Sequence, residues 1–446
     1  MPDLPRKLKT PASAAAVLAA AFCLAYAGDA GRGFVKDDFR WVRETRLQAA
    51  ADVPRLFVRS DGFYRPVVSL SFAVDSAAFG IAPRAFGLTN LALALACAAL
   101  VGVLAARLGA PPAAALLAAG VWAFNFHGIN MAVLWISGRT SLVVTLFALL
   151  TGIAVVSGRT LLAGLCCFLA LLSKEEAFLL PVVVAAWSAH DGRGTAAERL
   201  ATAARRAWPC FAALVLYILL RLRTDAFWPA GAPDYYRFTF SPAMIAGNLL
   251  QYADRAMTWP AASALVACIA ARRLPRLHHA ESRIVIFGAI WLVGAFALTV
   301  WVPARSSLYA VLPSAGSALA AGAIVSAAMR AAPRAAARAI AALALLPLLL
   351  LPVYWARNER WVRLAGLSTH VLHEVRAAAE REPDRRILIV DDPSERFNLD
   401  AAFGSLWPDA AALFLPPGSN ATIASGDGAP PDALVLRLRD GRLVEE

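Results

Sequence analysis

The sequence predicts an all-α polytopic membrane protein of about eleven transmembrane helices with a small extracytoplasmic α/β C-terminal domain. Three observations predict it. Hydrophobic residues are 59% of the 446 and charged ones 17%, with a mean hydropathy of +0.59, which exceeds the apolar share of roughly half in soluble chains. Apolar runs of spanning or near-spanning length recur as far as residue 355, separated by tight polar breaks. Lys and Arg gather in alternate breaks, the bias that marks cytoplasmic loops.

The first run, Pro11 to Ala27, follows Arg6, Lys7 and Lys9, which places the N-terminus in the cytoplasm. Ala25-Tyr26-Ala27 also has the small-residue form of a signal-peptide cleavage site, so the run is either the first span or a removed leader. In both cases the first outer loop, 28–84, leaves the cytoplasm. Further runs lie near 85–106, 112–126, 140–156, 160–172, 175–189, 207–222, 242–270, 284–302, 307–328 and 336–355. Alternation assigns Arg107 to Pro112, Ser157 to Thr160, His190 to Arg206, Ala271 to Arg283 and Met329 to Arg338 to the cytoplasm, and the last three are Arg-rich.

The same alternation sends everything after Tyr354 outside. The chain therefore divides into a membrane domain, 1–355, and an extracytoplasmic C-terminal domain, 356–446, in a multi-pass plasma-membrane protein. The tail is mixed in charge and polarity, with a helical stretch near Trp361 to Glu380 and strands at Ile387 to Val390 and Ala433 to Leu438. Pro416 to Ser419 and Gly426 to Pro431 read as loops.

The net charge of +12 does not indicate nucleic acid, because the basic residues fall between apolar runs and not on one solvated face. All six cysteines sit inside apolar segments, without metal-ligand spacing, and read as packing residues. No repeat of solenoid period occurs.

Polar residues of chemical interest fall at the outer ends of different runs. Asp37-Asp38, between aromatic and aliphatic neighbours, is either a general base whose proton affinity desolvation raises or the cap of a short helix. Tyr64-Arg65-Pro66 marks the return of the chain to the membrane. Arg139, in Trp135-Ile136-Ser137-Gly138-Arg139, is either a phosphate ligand or a cation that reaches for lipid headgroups. Ser173-Lys174-Glu175-Glu176 inserts a charge cluster between two apolar runs, and Arg305 precedes Tyr309 on the same side. Gln251, Asp254 and Arg255, inside the 242–270 run, read as a mutual, non-catalytic pairing. Carboxylates and cations on one face suit deprotonation of an acceptor hydroxyl beside a phosphate leaving group, as with a sugar donor linked to a lipid phosphate. One Asp pair without further outer carboxylates or histidines fits metal-free chemistry or weak Mg²⁺ or Mn²⁺ binding.

In order and sidedness these residues resemble multi-spanning glycosyltransferases of the C-type fold, above all the bacterial relatives of the transmembrane tetratricopeptide-repeat O-mannosyltransferases. The resemblance runs to about Ser317. It rests on Asp37-Asp38-Phe39, Tyr64-Arg65-Pro66 with Leu70-Ser71-Phe72 and Asp75, Phe79-Gly80, Leu88-Thr89-Asn90, Trp135 to Arg139, Leu172 to Glu175, and Arg305 through Pro313-Ser314. The repeats are absent, Gly87 stands where relatives often carry His, and His127-Gly128 stands where they read His-Pro. The resemblance implies a GT-C-like membrane domain and an inverting glycosyltransferase in a bacterial inner membrane. Asp38 or Asp37 would be its base; Arg139, Lys174, Arg305 and Arg65 would contact the donor phosphate; Tyr64, Glu175, His127 and Tyr309 would support them. Implied partners are a polyprenyl-phosphate-linked sugar, membrane lipids and an acceptor protein or glycan. The alternatives are a non-catalytic carrier or flippase of lipid-linked glycans and an oligosaccharide ligase.

Overall fold

The computed structural model describes residues 11–58, 62–228, 231–272, 274–424, 433–439 and 441–445. The basic flank Arg6, Lys7 and Lys9 and the loop expected at Gly426 to Pro431 lie outside the described residues. The chain opens with α1 (Pro11–Tyr26), and the stretch expected as the first outer loop folds into α2 (Asp37–Thr45) and α3 (Pro66–Phe79). The apolar runs then become α4 (Pro83–Arg107), α5 (Pro112–Ala123), a short α6 (Ile129–Leu134), α7 (Arg139–Val156), α8 (Thr160–Leu171) and α9 (Leu180–Asp191). They continue as α10 (Ala196–Arg221), α11 (Pro242–Ala271), α12 (His279–Phe296), α13 (Ser314–Ala331) and α14 (Pro333–Leu349). Proline begins α3, α4, α5, α11 and α14, where its missing N–H is no loss and its fixed φ already suits the helix.

Differences from the expected runs have local causes. α10 begins at Ala196 and not near 207, because Thr195 and Glu198 close a reciprocal capping box that starts the helix among polar residues. The 175–189 and 307–328 runs each open with a 3₁₀ turn, Glu175–Leu179 and Ser307–Ala310, before the α-helix starts. Near 242–270, Arg255 takes Gln251 Oε1 at 3.3 Å while Asp254 accepts from Thr258, so the expected pairing reaches Gln251 and leaves Asp254 apart.

Among the described residues, four helical segments are long and apolar enough to cross a membrane: Pro83–Arg107, Ile136–Val156, Ala196–Arg221 and His279–Trp301. A fifth qualifies if Ala341–Leu349 and Leu351–Arg381, bent by 45°, are one span. Several helices turn large apolar side chains outward, Leu161 at 70%, Leu250 at 73% and Val293 at 69% exposure among them, as a membrane protein does and a soluble one avoids. The three Arg-rich loops are tied together: Asp191 pairs with Arg206 at 3.0 Å and Arg283 at 2.8 Å, and Glu281 meets Arg330. α12 crosses α13 with Gly288 and Gly316 face to face; a Cβ on either would lie 2.3 Å from the other's carbonyl oxygen.

α1 belongs to this bundle. Phe22 and Tyr26 are buried, the Asn358 amide donates to Ala25 O, and Trp355 donates to Leu24 O. Cleavage after Ala27 would remove these packed side chains.

The C-terminal region is continuous with the helical bundle. α15 (Leu351–Arg381) runs unbroken through the boundary expected at 355. It leads into β1 (Ile387–Val390), α16 (Leu399–Phe403), α17 (Trp407–Phe414), β2 (Ala421–Ala424), β3 (Leu434–Arg439) and β4 (Arg442–Glu445). The sheet order is β2-β1-β3-β4, parallel except for β4. Its buried face, with Ile387, Ile389 and Leu436, shares one apolar core with Phe34, Phe39, Phe72 and Phe86 of the first outer loop and α4.

Candidate active site

The acidic pair opens α2, and the turn before it is held on three sides. Phe34 O accepts from Ser368 Oγ at 2.6 Å, Val35 O accepts from the Trp135 indole at 3.0 Å, and the Lys36 amide donates to Ala402 O at 2.9 Å. Lys36 sits at φ 52°, a left-handed conformation that a non-glycine residue keeps only when its surroundings impose it. Successive helical residues point about 100° apart, so the two carboxylates diverge. Asp38 turns inward and is fully buried; it accepts from Val35 N at 2.8 Å, Ser137 N at 2.6 Å and Ser137 Oγ. Burial pushes its carboxyl up to about 7, against those hydrogen bonds and with the help of the neighbouring Asp37 charge.

Asp37 is exposed by area, yet enough protein surrounds its carboxyl to hold it above the ordinary carboxylate range, with Arg65 the strongest of the charges pulling it back. The same Arg65 and Asp37 act on Tyr236, whose hydroxyl burial raises. Of the two expected bases, Asp37 is the exposed one and Asp38 the buried one. Asp38 ties α2 to the Trp135–Gly138 turn. With both its oxygens engaged, the pair does not present two carboxylates to an ion, and among the described residues no three His, Cys, Asp or Glu side chains gather to hold one.

Arg139, expected on the donor phosphate, is instead a buried brace. Its Nε donates to Asn90 at 2.9 Å, Nη1 to Ser71 O and Oγ at 3.1 Å each, and Nη2 to Asp75 at 2.6 Å and Phe86 O at 2.9 Å. All five N–H groups are taken, and the guanidinium lies 4.4 Å over the Phe72 ring. The brace links α3, α4 and α7 two residues after Asp38's partner Ser137.

Four of the other expected residues line one cavity. It measures about 260 Å³ and holds Arg65, Lys174, Glu175 and Tyr309 at its polar end. Arg65 Nε and Nη2 both reach Glu175 Oε2, at 3.0 and 2.7 Å, and Glu175 Oε1 lies 3.4 Å from Arg221. Lys174 is buried, contacts Glu176, donates to Ser141 Oγ at 2.8 Å and lies 5.1 Å over the Tyr309 ring. The Glu176 carboxylate is buried with no hydrogen bond besides that ion contact among the described residues. Three cations against two carboxylates leave one positive charge at this end. Phe178, Ile218, Trp228, Phe238 and Leu298 give the remaining wall its apolar character.

The other expected residues stand outside that lining. Arg305 is exposed and donates through Nε to Asn248 at 2.8 Å; the Asn248 amide in turn holds Val300 O and the cavity-wall Val302 O. Tyr64 is buried, with its hydroxyl on Phe57 O at 3.0 Å and its ring 6.1 Å from Tyr217. His127 lies near Arg357 and Asp254, and burial lowers its pKa. Sequence reasoning passed over Arg221, although a cation ending an apolar run at its outer side carries the same signal that singled out Arg139. Tyr236, in an irregular loop, offered none. No family model matches the chain, and no curated protein or solved structure does either.

Proposed function

We propose that this chain is a polytopic membrane glycosyltransferase of the C-type fold, embedded by about eleven helices, that moves a sugar from a polyprenyl-phosphate-linked donor to an acceptor hydroxyl on the extracytoplasmic face. The carrying observation is the cavity that joins an apolar wall to a polar end bearing one excess positive charge, beside a carboxylate of raised proton affinity. A donor phosphodiester bears one negative charge, which that end would neutralise, and its prenyl chain would lie along the apolar wall.

Transfer makes the phosphate a monoester leaving group with additional negative charge. Arg65 retains N–H groups beyond those on Glu175, and Lys174 has one donor beyond Ser141 and Glu176, so both would bind that charge more strongly than the ground state. In the step, the acceptor oxygen bonds the anomeric carbon from the face opposite the phosphate and the carbon–phosphate-oxygen bond breaks. The hydroxyl proton passes to Asp37, and the configuration inverts. Asp38 and Arg139 act through position, fixing the turn from which Asp37 projects.

The test is transfer of labelled sugar from a panel of polyprenyl-phosphate sugars in membranes containing wild type, Asp37→Asn or Arg65→Gln. Loss of a general base lowers turnover by about 10²–10⁴, so Asp37→Asn should abolish detectable transfer at unchanged expression, and Arg65→Gln should raise the donor KM. Donor binding without turnover by any form would favour a carrier and overturn the assignment.

A further inference from the structure

A second recess, of about 470 Å³, lies against α6, Ser307, the outer part of α15 and the Arg396-Phe397 segment. Its wall carries Arg357, Arg360, Arg363 and Arg396 against the single carboxylate of Glu359. Glu359 pairs with Arg363, and Arg357 donates to Phe126 O at 2.9 Å. Arg360 and Arg396 have no ion-pair partner among the described residues, and each lies beside an aromatic face: Arg360 5.6 Å from the Trp361 ring, Arg396 5.3 Å from the Phe397 ring. Three uncompensated guanidinium charges converge on one hollow, backed by rings that hold the planar groups in orientation.

The recess adjoins both parts of the candidate site. Trp361 stacks on Trp135 at 5.5 Å and 9°, and the Trp135 indole holds Val35 O in the turn before Asp37. Ser307 lines the recess while Tyr309, two residues on, lines the donor cavity, so a single 3₁₀ turn separates the two hollows.

We propose that this arginine-lined recess binds the acceptor, and that the acceptor is an anionic glycan unit, a sugar ring bearing a phosphate or carboxylate. This rests on the glycosyltransferase reading for the word acceptor; the anion chemistry stands on the recess alone. Guanidinium forks take phosphate or carboxylate oxygens in pairs. Occupancy here would bring an acceptor hydroxyl toward the Asp37 side of the turn.

The experiment is calorimetric titration of the full chain, in nanodiscs of neutral phosphatidylcholine, with glucose 6-phosphate, glucuronate and, as the uncharged control, glucose. Saturable binding of the two anions, about a hundredfold tighter than glucose, is expected. Each arginine lost should weaken it about tenfold, so Arg360→Gln with Arg396→Gln should bring it to the level of glucose while the unfolding temperature stays unchanged. Arg360→Lys with Arg396→Lys should recover only part. Asp37→Asn should bind as wild type. Equal binding by wild type and the Gln pair, or none by either, overturns the proposal. So does loss of sugar-phosphate binding in nanodiscs containing phosphatidylglycerol, which would make the recess a lipid-headgroup site. In the transfer assay the Gln pair should raise the acceptor KM and leave the donor KM alone. Transfer with an unchanged acceptor KM sinks the recess assignment and spares the transferase; anion binding with no transfer from any donor sinks the transferase and spares the anion site.

Discussion

Replacing Asp38 by Asn should invert in its effect on stability between acid and alkaline pH. The Asp38 carboxyl is held at about 7 in the folded protein against an ordinary 3.8. Between those values the native state keeps a proton that the unfolded chain has released. The stability this contributes is therefore complete below pH 3.8 and lost as pH rises through 7; at 1.36 kcal/mol per pH unit the loss is about 4 kcal/mol, of which about 3 falls between pH 4.5 and 8. Asn carries no charge and escapes that loss. Its NH₂ must, however, face either the Val35 or the Ser137 amide, both donors, which leaves one buried N–H without an acceptor at about 1–3 kcal/mol at every pH. Asp38→Asn should therefore be the less stable form at pH 4.5 and equal to or more stable than wild type at pH 8. Unfolding in micelles, followed through the 12 tryptophans, measures the difference, and the titration of groups distant from Asp38 cancels between the two forms. A difference that stays constant across pH 4.5–8 would refute the account of Asp38 as a buried, charge-disfavoured pin.

Arg139→Met leaves Asp75 buried without its partner and should destabilise the protein by about 3–5 kcal/mol, while Arg139→Met with Asp75→Leu should restore most of it; denaturant midpoints decide. Gly87→Val should fail to accumulate in membranes, because a Cβ there meets Gly31 N at 2.3 Å, backbone against backbone; normal yield would contradict the close crossing. Asp409→Asn removes the 2.7 Å ion pair to Arg43 that joins α17 to α2, and with Arg43 half exposed it should cost no more than about 1 kcal/mol yet speed limited proteolysis of the tail. Cleavage at the wild-type rate would show that the apolar core alone holds the tail.

The helices were legible because a run of apolar residues bounded by charge or Pro-Gly breaks leaves few alternatives. α3 was not, since Pro66–Phe79 is too short to read as a span and sat inside a stretch assigned to loop. β1 and β3 were visible as Ile-Leu-Ile-Val and Leu-Val-Leu, whereas β2, Ala-Thr-Ile-Ala, and the edge strand β4 have no pattern apart from the partners that form them. At the site, the gathering of Arg65, Lys174, Glu175 and Tyr309 was readable and the pairings were not. An Arg at the outer end of a helix looks the same whether it meets a lipid phosphate or Asp75, 64 positions earlier. Likewise Asp38 and Ser137 are 99 positions apart, and only the folded chain shows which member of the acidic pair the core takes.

That division of the pair follows from where α2 begins. A start one residue earlier would rotate the helix by about 100°, turning Asp37 to the direction Asp38 now takes and Asp38 to that of Phe39. The start is set by Lys36, whose positive φ ends the extended segment, and Lys36 is held there by Ala402 of the C-terminal region. The same region stacks Phe403 on Phe39 at 5.5 Å and pairs Asp409 with Arg43 along the length of α2. The tail therefore determines which carboxylate is available, and under the proposed function its removal would act through the orientation of α2 as well as through any acceptor contact. A chain lacking 356–446 should lose more than a domain: with α15 cut at its outer half and the shared core opened, Asp37 has no fixed direction relative to Arg65 and the cavity.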